Sequence, residues 1–361
     1  MPPRKEPFLS ADVSKVESKR RQKFLYEALY KNAKIELLEG IDACRKSIQH
    51  ENLNPYYLVN TQASVFSHKL WLWMLEYTAG EEIDVLANAF GSVVDDFARW
   101  NELNIPFRIS LRERFKDRET DLTVSAVDFN NRVDYQEALQ LISIAILLRD
   151  GRSIKRIIAS MAGNRYEDGL YEQLIADYVR DPQDGMEEVL FDNPYAILVE
   201  PYFQEDKNVG ADLIREYIKK WYRFQDGARW YDAHKKIEDD KAFYYGYWAF
   251  EAAATSYLLD INDDSIDHIV YPKDLVNYAR KMRQEGRFTS DLESTLGPDD
   301  FPLSKLRCES GNPCPQRGWW ITPAKTSSRQ KFELGETMPD FKDSSYGTTI
   351  WQWDMDQSDR S

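Results

Sequence analysis

Basic residues are scarce in this chain relative to acidic ones. Its 361 residues include 47 lysines and arginines against 61 aspartates and glutamates, which gives a formal net charge of −14. A protein that binds nucleic acid on its own needs a basic face to displace counterions from phosphates, so this charge argues against a nucleic-acid partner. Aromatic residues reach 13%, whereas disordered chains have few of them, and the chain is therefore expected to be globular.

Cysteine and long apolar runs are scarce as well. The three cysteines, Cys44, Cys308 and Cys314, cannot all pair within one chain, and a reduced cytoplasmic protein is the simpler interpretation. The sequence leaves open whether Cys308 and Cys314 ever pair with each other. Apolar runs such as residues 141–148 are about half the roughly 18 residues that a membrane helix needs, and Ser10–Lys23 is polar where an export signal would be apolar. We therefore expect no membrane association.

Sequence motifs of common enzymes are missing too. The chain contains no phosphate-binding loop, no dinucleotide-binding glycine pattern, no nucleophile elbow and no His-Glu-x-x-His zinc motif. The segment from Asp260 to Asp264 begins like a calcium loop, but Ser265 and Tyr271 occupy the positions that need glycine and glutamate. No catalytic residue, metal or cofactor is predicted. A hydrolase that uses a pair of carboxylates stays open, because 61 acids always offer pairs.

Apolar residues recur with helical spacing from about residue 10 to residue 280. The clearest stripe runs from Ile83 to Trp100, with aspartates only off the stripe. After Gly286 proline and glycine become too dense for helices, and short strand-forming segments lie between them at 319–322, 331–334 and 348–353.

These patterns predict a mainly α protein. We expect a helical array in two parts, followed by a small antiparallel β extension. The predicted regions are an N-terminal helical domain over 10–150, a C-terminal helical domain over 165–285 and a tail rich in proline and glycine over 286–361.

The middle of the chain carries most of the negative charge. Residues 151–285 contain 18 basic and 26 acidic side chains, which is −8 of the total −14. The acids cluster at Asp181–Glu188, Glu238–Asp240 and Asp263–Asp267. A single acidic cluster is usually a solvated face, but several in one region favour a surface that binds a basic partner.

An aromatic motif follows the second acidic cluster. It reads Tyr244-Tyr-Gly-Tyr-Trp-Ala-Phe-Glu-Ala-Ala-Ala254, with Leu258-Leu-Asp-Ile-Asn-Asp-Asp-Ser265 and Tyr271-Pro-Lys-Asp-Leu275 after it. These segments resemble the C-terminal half of the PoNi family, immunity proteins that protect bacteria from DNase toxins called PoNe, which type VI and related secretion systems deliver.

Two further segments carry a weaker resemblance. Leu75-Glu-Tyr-Thr-Ala-Gly-Glu-Glu-Ile83 resembles the turn between two helices of the N-terminal domain of that family. The tail segment Cys314-Pro-Gln-Arg-Gly-Trp-Trp320, together with 335–339 and 350–353, resembles the C-terminal extension of other helical immunity families in polymorphic toxin systems.

The motif residues are first of all expected to be structural. The spacing of Tyr244, Tyr247, Trp248 and Glu251 predicts one shared helical face that packs in the core. A carboxylate in such surroundings must be paired, exposed or shifted in pKa, so we expect Glu251 to bond a neighbouring tyrosine or arginine. Further along, Tyr271 and Pro272 are predicted to end a loop and to start a helix near Lys273, with Asp274 in its first turn.

The resemblance implies a non-enzymatic, cytoplasmic bacterial protein that binds and neutralises a toxin. A nuclease has a basic substrate surface because DNA is acidic, and an acidic face would steer the encounter and block that surface. An adaptor or chaperone for a secreted effector is the main alternative, followed by the hydrolase, and a homodimer is compatible with the sequence. We expect the toxin to be contacted by six acids: Glu238, Asp239, Asp240, Asp263, Asp264 and Asp267.

Overall fold

A computed structural model describes most of the chain. The described residues are 16–49, 53–114, 126–179, 182–183, 185–228, 230–289, 307–314, 317–322, 324–325, 328–333, 335–341 and 349–354. Asp181 and Asp184 of the first acidic cluster lie outside these ranges, as do Leu334 and Thr348 of the predicted strands.

Within these ranges the protein consists of eleven α-helices and four β-strands, and the prediction of a mainly α fold with a small antiparallel β extension is confirmed. The helices are α1 (Val16–Lys19), α2 (Glu27–Ile48), α3 (Pro55–Ala79), α4 (Ile83–Arg114), α5 (Arg132–Leu147), α6 (Gly151–Ser160), α7 (Gly169–Ile175), α8 (Asp192–Val199), α9 (Lys207–Trp221), α10 (Phe250–Leu258) and α11 (Lys273–Gln284). The strands are β1 (Arg307–Glu309), β2 (Gly318–Ile321), β3 (Gln330–Phe332) and β4 (Ile350–Trp353).

Several helix boundaries follow local sequence signals. The side chain of Asn54 accepts a hydrogen bond from the backbone N–H of Tyr56 at 2.9 Å and caps α3, while Asn131 caps α5 in the same way. Gly80 ends α3 with a φ of +95°, and a Cβ there would lie 2.2 Å from the carbonyl oxygen of Lys19. Only glycine fits that position, so the predicted turn between α3 and α4 is present.

One hydrophobic core connects the helices. It extends from Val16 in α1 to Ala279 in α11, and 12 of the 16 residues of α5 are buried in it. Helix α10 packs on α5, so the two predicted helical regions share this core, and their boundaries stay a prediction. No helix in the described ranges has the length and apolar character required to cross a bilayer.

The four strands form an antiparallel sheet in the order β1-β4-β2-β3. Its own small core contains Trp320, Trp351 and the free thiols of Cys308 and Cys314, and Ala162 of the helical region packs against it. Strand β1 was not predicted, because Arg-Cys-Glu is short and mostly charged; it pairs with β4 and buries Cys308.

The helix predicted from Tyr244 begins only at Phe250. Gly246 has a φ of +108°, and a Cβ at this position would lie 2.2 Å from the hydroxyl of Thr78 in α3. The prediction that Tyr244, Tyr247 and Trp248 share a helical face with Glu251 is therefore wrong, because the segment before Phe250 is not helical.

Contacts with α3 explain this difference. The hydroxyl of Thr78 donates to the carbonyl oxygen of Tyr245 at 2.7 Å and accepts a hydrogen bond from the indole N–H of Trp248 at 2.9 Å. Although the apolar spacing of this segment is helical, hydrogen bonds to α3, which is distant in sequence, hold it in a non-helical conformation.

Candidate functional site

Glu251 joins helices α9 and α10 inside the core. Its Oε1 accepts a hydrogen bond from the Tyr217 hydroxyl at 2.7 Å and another from the Trp221 indole N–H at 2.6 Å. Burial raises the pKa of the Glu251 carboxyl, and the two hydrogen bonds oppose that rise without cancelling it. The expected tyrosine partner is present, and tryptophan takes the place considered for arginine.

Gln22 fixes the aromatic motif from the N-terminal side. Its buried amide donates to the carbonyl oxygens of Tyr247 at 2.6 Å and Ile269 at 2.8 Å, and accepts from the Tyr244 hydroxyl at 2.7 Å and the Tyr247 N–H at 2.9 Å. All four hydrogen-bonding positions of the amide are used. Sequence reasoning missed Gln22, because it lies in a polar segment that gave no sign of burial.

Tyr271 and Pro272 precede α11 as predicted, and both are buried. Asp274 lies in the first helical turn, where the helix dipole favours an acid. Its carboxylate also pairs with the guanidinium Nε of Arg21 at 2.5 Å and accepts a hydrogen bond from Tyr77. Asp274 therefore links the end of the helical array to its beginning.

Asp263, one of the six acids expected to contact the toxin, is fully buried. Its carboxylate accepts hydrogen bonds from the Tyr271 hydroxyl at 2.6 Å and from Arg280 at 2.5 Å, and the Lys273 ammonium lies 3.1 Å away. Burial alone would raise its pKa, but these partners outweigh burial and lower it. Asp263 is thus an internal anchor, and its placement on an exposed surface is corrected.

The other acids of this loop are exposed. Asp264 has 86% of its side chain exposed and lies 3.9 Å from the Lys273 ammonium, and Asp267 is exposed as well. The loop extends from Asn262 to Ile269, and we call it the anchored acidic loop.

The remaining predicted acids form a tight turn. Glu238 and Lys241 exchange two backbone hydrogen bonds of 3.0 and 2.9 Å, and between them Asp239 and Asp240 have φ values of +50° and +57°. Positive φ at both central positions is typical of type I′ turns, and aspartate tolerates it. We call residues 238–241 the acidic turn.

Helix α2 supports the acidic turn. The Tyr26 hydroxyl, just before α2, donates to Asp240 at 2.7 Å, and Lys241 pairs with Glu36 of α2 at 3.7 Å. Within the described part of the chain, the carboxylates of Glu238 and Asp239 pair with no cation, and both are exposed. These two carboxylates therefore present uncompensated negative charge to solvent.

An aromatic recess lies beside the acidic turn. Phe243, which is 43% exposed, packs on Trp71 with ring centroids 4.7 Å apart and on Tyr245 at 5.8 Å. Trp71 and Tyr245 also line a small recess, which side chains from α3, α5 and the segment before α10 enclose. Its lining consists of Trp71, Val133, Gln136, Glu137, Gln140, Ala228, Trp230 and Tyr245.

The recess contains one carboxylate, Glu137, and not the pair that a glycosidase-like hydrolase would need. Among the described residues no group of histidine, cysteine, aspartate and glutamate side chains is arranged to hold a metal ion.

Comparison with known protein families identifies the family of this chain. Residues 14–159 match the family described as PoNe immunity protein (PoNi), N-terminal, and residues 166–275 match PoNe immunity proteins (PoNi), C-terminal. The chain belongs to the PoNi family of immunity proteins. The resemblance seen in the aromatic motif is thereby confirmed, and it extends to the N-terminal half.

A solved structure supports the fold of this PoNi protein. The crystal structure of protein PA2201 from Pseudomonas aeruginosa resembles it with a TM-score of 0.55 and 20% sequence identity, and the match covers 76% of this chain and 100% of the other. No curated protein matches the chain.

The PoNi match also contains the features described above. The acidic turn, Glu251 and the anchored acidic loop all lie within residues 166–275. As a PoNi protein the chain has a cognate toxin as its partner.

Proposed function

We propose that this PoNi protein neutralises a DNase toxin of the PoNe type by covering the basic surface with which the toxin binds DNA. It acts in the bacterial cytoplasm, where a toxin delivered by type VI or related secretion would reach the chromosome. The family match over both halves of the chain carries the proposal. Inhibition of this kind requires no catalytic residue in the immunity protein.

Charge supports the acidic turn as the contact surface. Glu238 and Asp239 are exposed, and no cation in the described residues compensates them, so their field acts on a basic partner. Complementary charge raises association rates and orients the encounter. Asp240 lies in the same turn, and exposed Asp264 and Asp267 contribute a second acidic edge.

A titration of DNase activity tests the proposal. The probe is a cognate nuclease domain of the PoNe type, with plasmid DNA as its substrate. A stoichiometric inhibitor reduces the activity linearly to zero near one equivalent, and we expect this result. Cells that express the toxin should also recover growth when the immunity protein is coexpressed.

The alternatives give other outcomes. An adaptor or chaperone would bind the toxin and leave DNA cleavage intact, whereas a hydrolase would inactivate the toxin at far less than one equivalent. Either result would contradict the proposed inhibition.

A further inference from the structure

Two apolar side chains are unusually exposed beside the acidic turn. Ile35 of α2 is 52% exposed and Phe243 is 43% exposed, more than any other isoleucine, leucine, valine or phenylalanine whose side chain the structure describes. Single exposed apolar residues are common on protein surfaces, whereas neighbouring ones with a polar rim are typical of protein–protein contact sites. We call Ile35 and Phe243 the apolar pair.

Ile35 lies on the face of α2 that borders the acidic turn. It follows Asn32 by three residues and directly precedes Glu36. The Asn32 amide donates to the carbonyl oxygen of Asp240 at 3.1 Å, and Glu36 pairs with Lys241 at 3.7 Å. Because residues three apart on a helix are neighbours on its surface, Ile35 is exposed to solvent next to the turn.

Phe243 reaches the same surface from the other side of the turn. It follows Lys241 by two residues, and its ring packs on Trp71 of α3. Trp71 packs on His68 with ring centroids 5.4 Å apart, and a Cβ on Gly40 of α2 would lie 3.0 Å from the His68 ring. These contacts hold Phe243 beside the middle of α2, so the apolar pair borders one continuous surface.

Exposed acids form the rim of this surface. Glu39, one helical turn after Ile35, is exposed, and its carboxylate pairs with no cation in the part of the chain that the structure describes. Glu238 and Asp239 of the acidic turn contribute two further carboxylates. In protein interfaces a few apolar side chains at the centre supply most of the binding energy, and the rim is polar. Since the rim is acidic here, it complements a basic partner surface.

We propose that the apolar pair anchors the toxin by binding an apolar side chain exposed among the lysines and arginines of the DNA-binding surface of the toxin. The proposal rests on the proposed function, since it assumes that this basic surface is the one covered. It adds α2 to the acidic turn as a contact element. Ile35 lies within residues 14–159 and Phe243 within 166–275, so both halves of the family match contribute. The acids would set the rate of association, and the apolar pair the lifetime of the complex.

Substitutions of the apolar pair test this inference through the kinetics of binding to a catalytically inactive nuclease domain of the PoNe type. Phe243→Ala should weaken the complex about tenfold and Ile35→Ala about fivefold, as is usual for residues that carry binding energy. Both should act through faster dissociation and leave the association rate nearly unchanged. Ile35→Glu separates apolar contact from charge, because it adds an acid to the rim and should still weaken the complex.

Matched positions control for exposure. Phe288 is 42% exposed and packs on Arg149, and Ile321 of β2 is 38% exposed. Phe288→Ala and Ile321→Ala should leave the dissociation constant unchanged, because neither residue belongs to α2 or the acidic turn.

Thermal unfolding controls for folding. Ile35→Ala and Ile35→Glu should unfold at or above the wild-type temperature, since the position is exposed and both new residues favour helices more than isoleucine does. If Phe243→Ala is destabilised through its lost packing on Trp71, the two Ile35 variants decide the test.

The outcomes separate the two proposals. If wild-type protein binds and inhibits the nuclease, but the Ile35→Ala variant binds equally well, Ile35→Glu tightens the complex, or the control variants weaken it to the same extent, the apolar anchor is wrong and the proposed function stands. Wild-type protein that neither binds nor inhibits the nuclease overturns both.

Discussion

The acidic turn and the anchored acidic loop look alike in sequence and differ in structure. Both are short runs of acids in the C-terminal half, yet Asp263 of the loop is fully buried between Arg280, Lys273 and Tyr271. In the turn, Glu238 and Asp239 are exposed and pair with no cation among the described residues.

The difference shows that acids clustered in the sequence can have two different functions, one in folding and one in attracting a charged partner. A buried carboxylate needs partners to offset its lost hydration, so Asp263 contributes to folding. An exposed and uncompensated carboxylate contributes little to folding and acts at a distance on charged partners. Counting acids in a sequence cannot separate these functions, whereas substitutions can.

The largest effect is expected from Asp263→Asn. The substitution keeps the shape but leaves Arg280 and Lys273 without their buried counter-charge, and we expect a loss of about 3 kcal/mol in the free energy of unfolding, the low end for a broken buried ion pair because both cations reach solvent. Urea unfolding at pH 7 measures it. Asp264→Asn, at an exposed position, is the matched control and should change stability little.

The contribution of Asp263 to the free energy of unfolding should decrease as the pH falls. The folded-state pKa of Asp263 lies below the ordinary 3.8, so its stabilisation is present above that value and is lost as the pH falls through the lowered pKa. Wild type and Asp263→Asn should therefore converge in stability under acid conditions. A difference that is constant down to pH 2 would contradict the ion-pair explanation.

A smaller loss is expected from Glu251→Leu. It leaves the donors of Tyr217 and Trp221 without an acceptor, at a cost of about 2 kcal/mol. Glu251→Gln keeps an acceptor oxygen and removes a buried charge, so it should match or exceed the wild type at pH 7. The thermal unfolding temperatures of the wild type, Glu251→Leu and Glu251→Gln measure these differences in stability.

The pH profile of Glu251 should run opposite to that of Asp263. Its folded-state pKa lies above the ordinary 4.5, so wild-type stability is favoured below that pH and declines as the pH rises through the raised pKa. Glu251→Gln should lack this decline. Equal destabilisation by the Leu and Gln variants would show that the negative charge of Glu251, and not its hydrogen-bond acceptor oxygen, stabilises the fold.

Local sequence signals predicted part of this architecture well. Gly80 ends α3, and α11 begins at Lys273 after Pro272, because capping and turn residues act on their immediate neighbours. The aromatic motif is likewise a continuous segment, and its own residues indicated the resemblance to the family.

Features that depend on distant contacts were not predictable. Gln22 forms a hydrogen bond to Tyr247, 225 positions away in the sequence, and Thr78 forms one to Trp248, 170 positions away. Because of these contacts, α10 begins only at Phe250. The burial of Asp263 likewise arises only when separate elements pack together. No spacing pattern within one segment encodes such contacts.

The smallest effect, and the most direct comparison of the two acidic regions, comes from paired charge reversals. Glu238→Lys with Asp239→Lys and Asp264→Lys with Asp267→Lys change the net charge equally. We expect the first pair to slow association with the inactive nuclease domain about tenfold at low salt and the second about twofold, since rim charges act mainly on association. Stopped-flow association at several salt concentrations should show a weakened salt dependence for the first pair. Equal slowing by both pairs would mean that the net charge, and not the acidic turn, attracts the toxin.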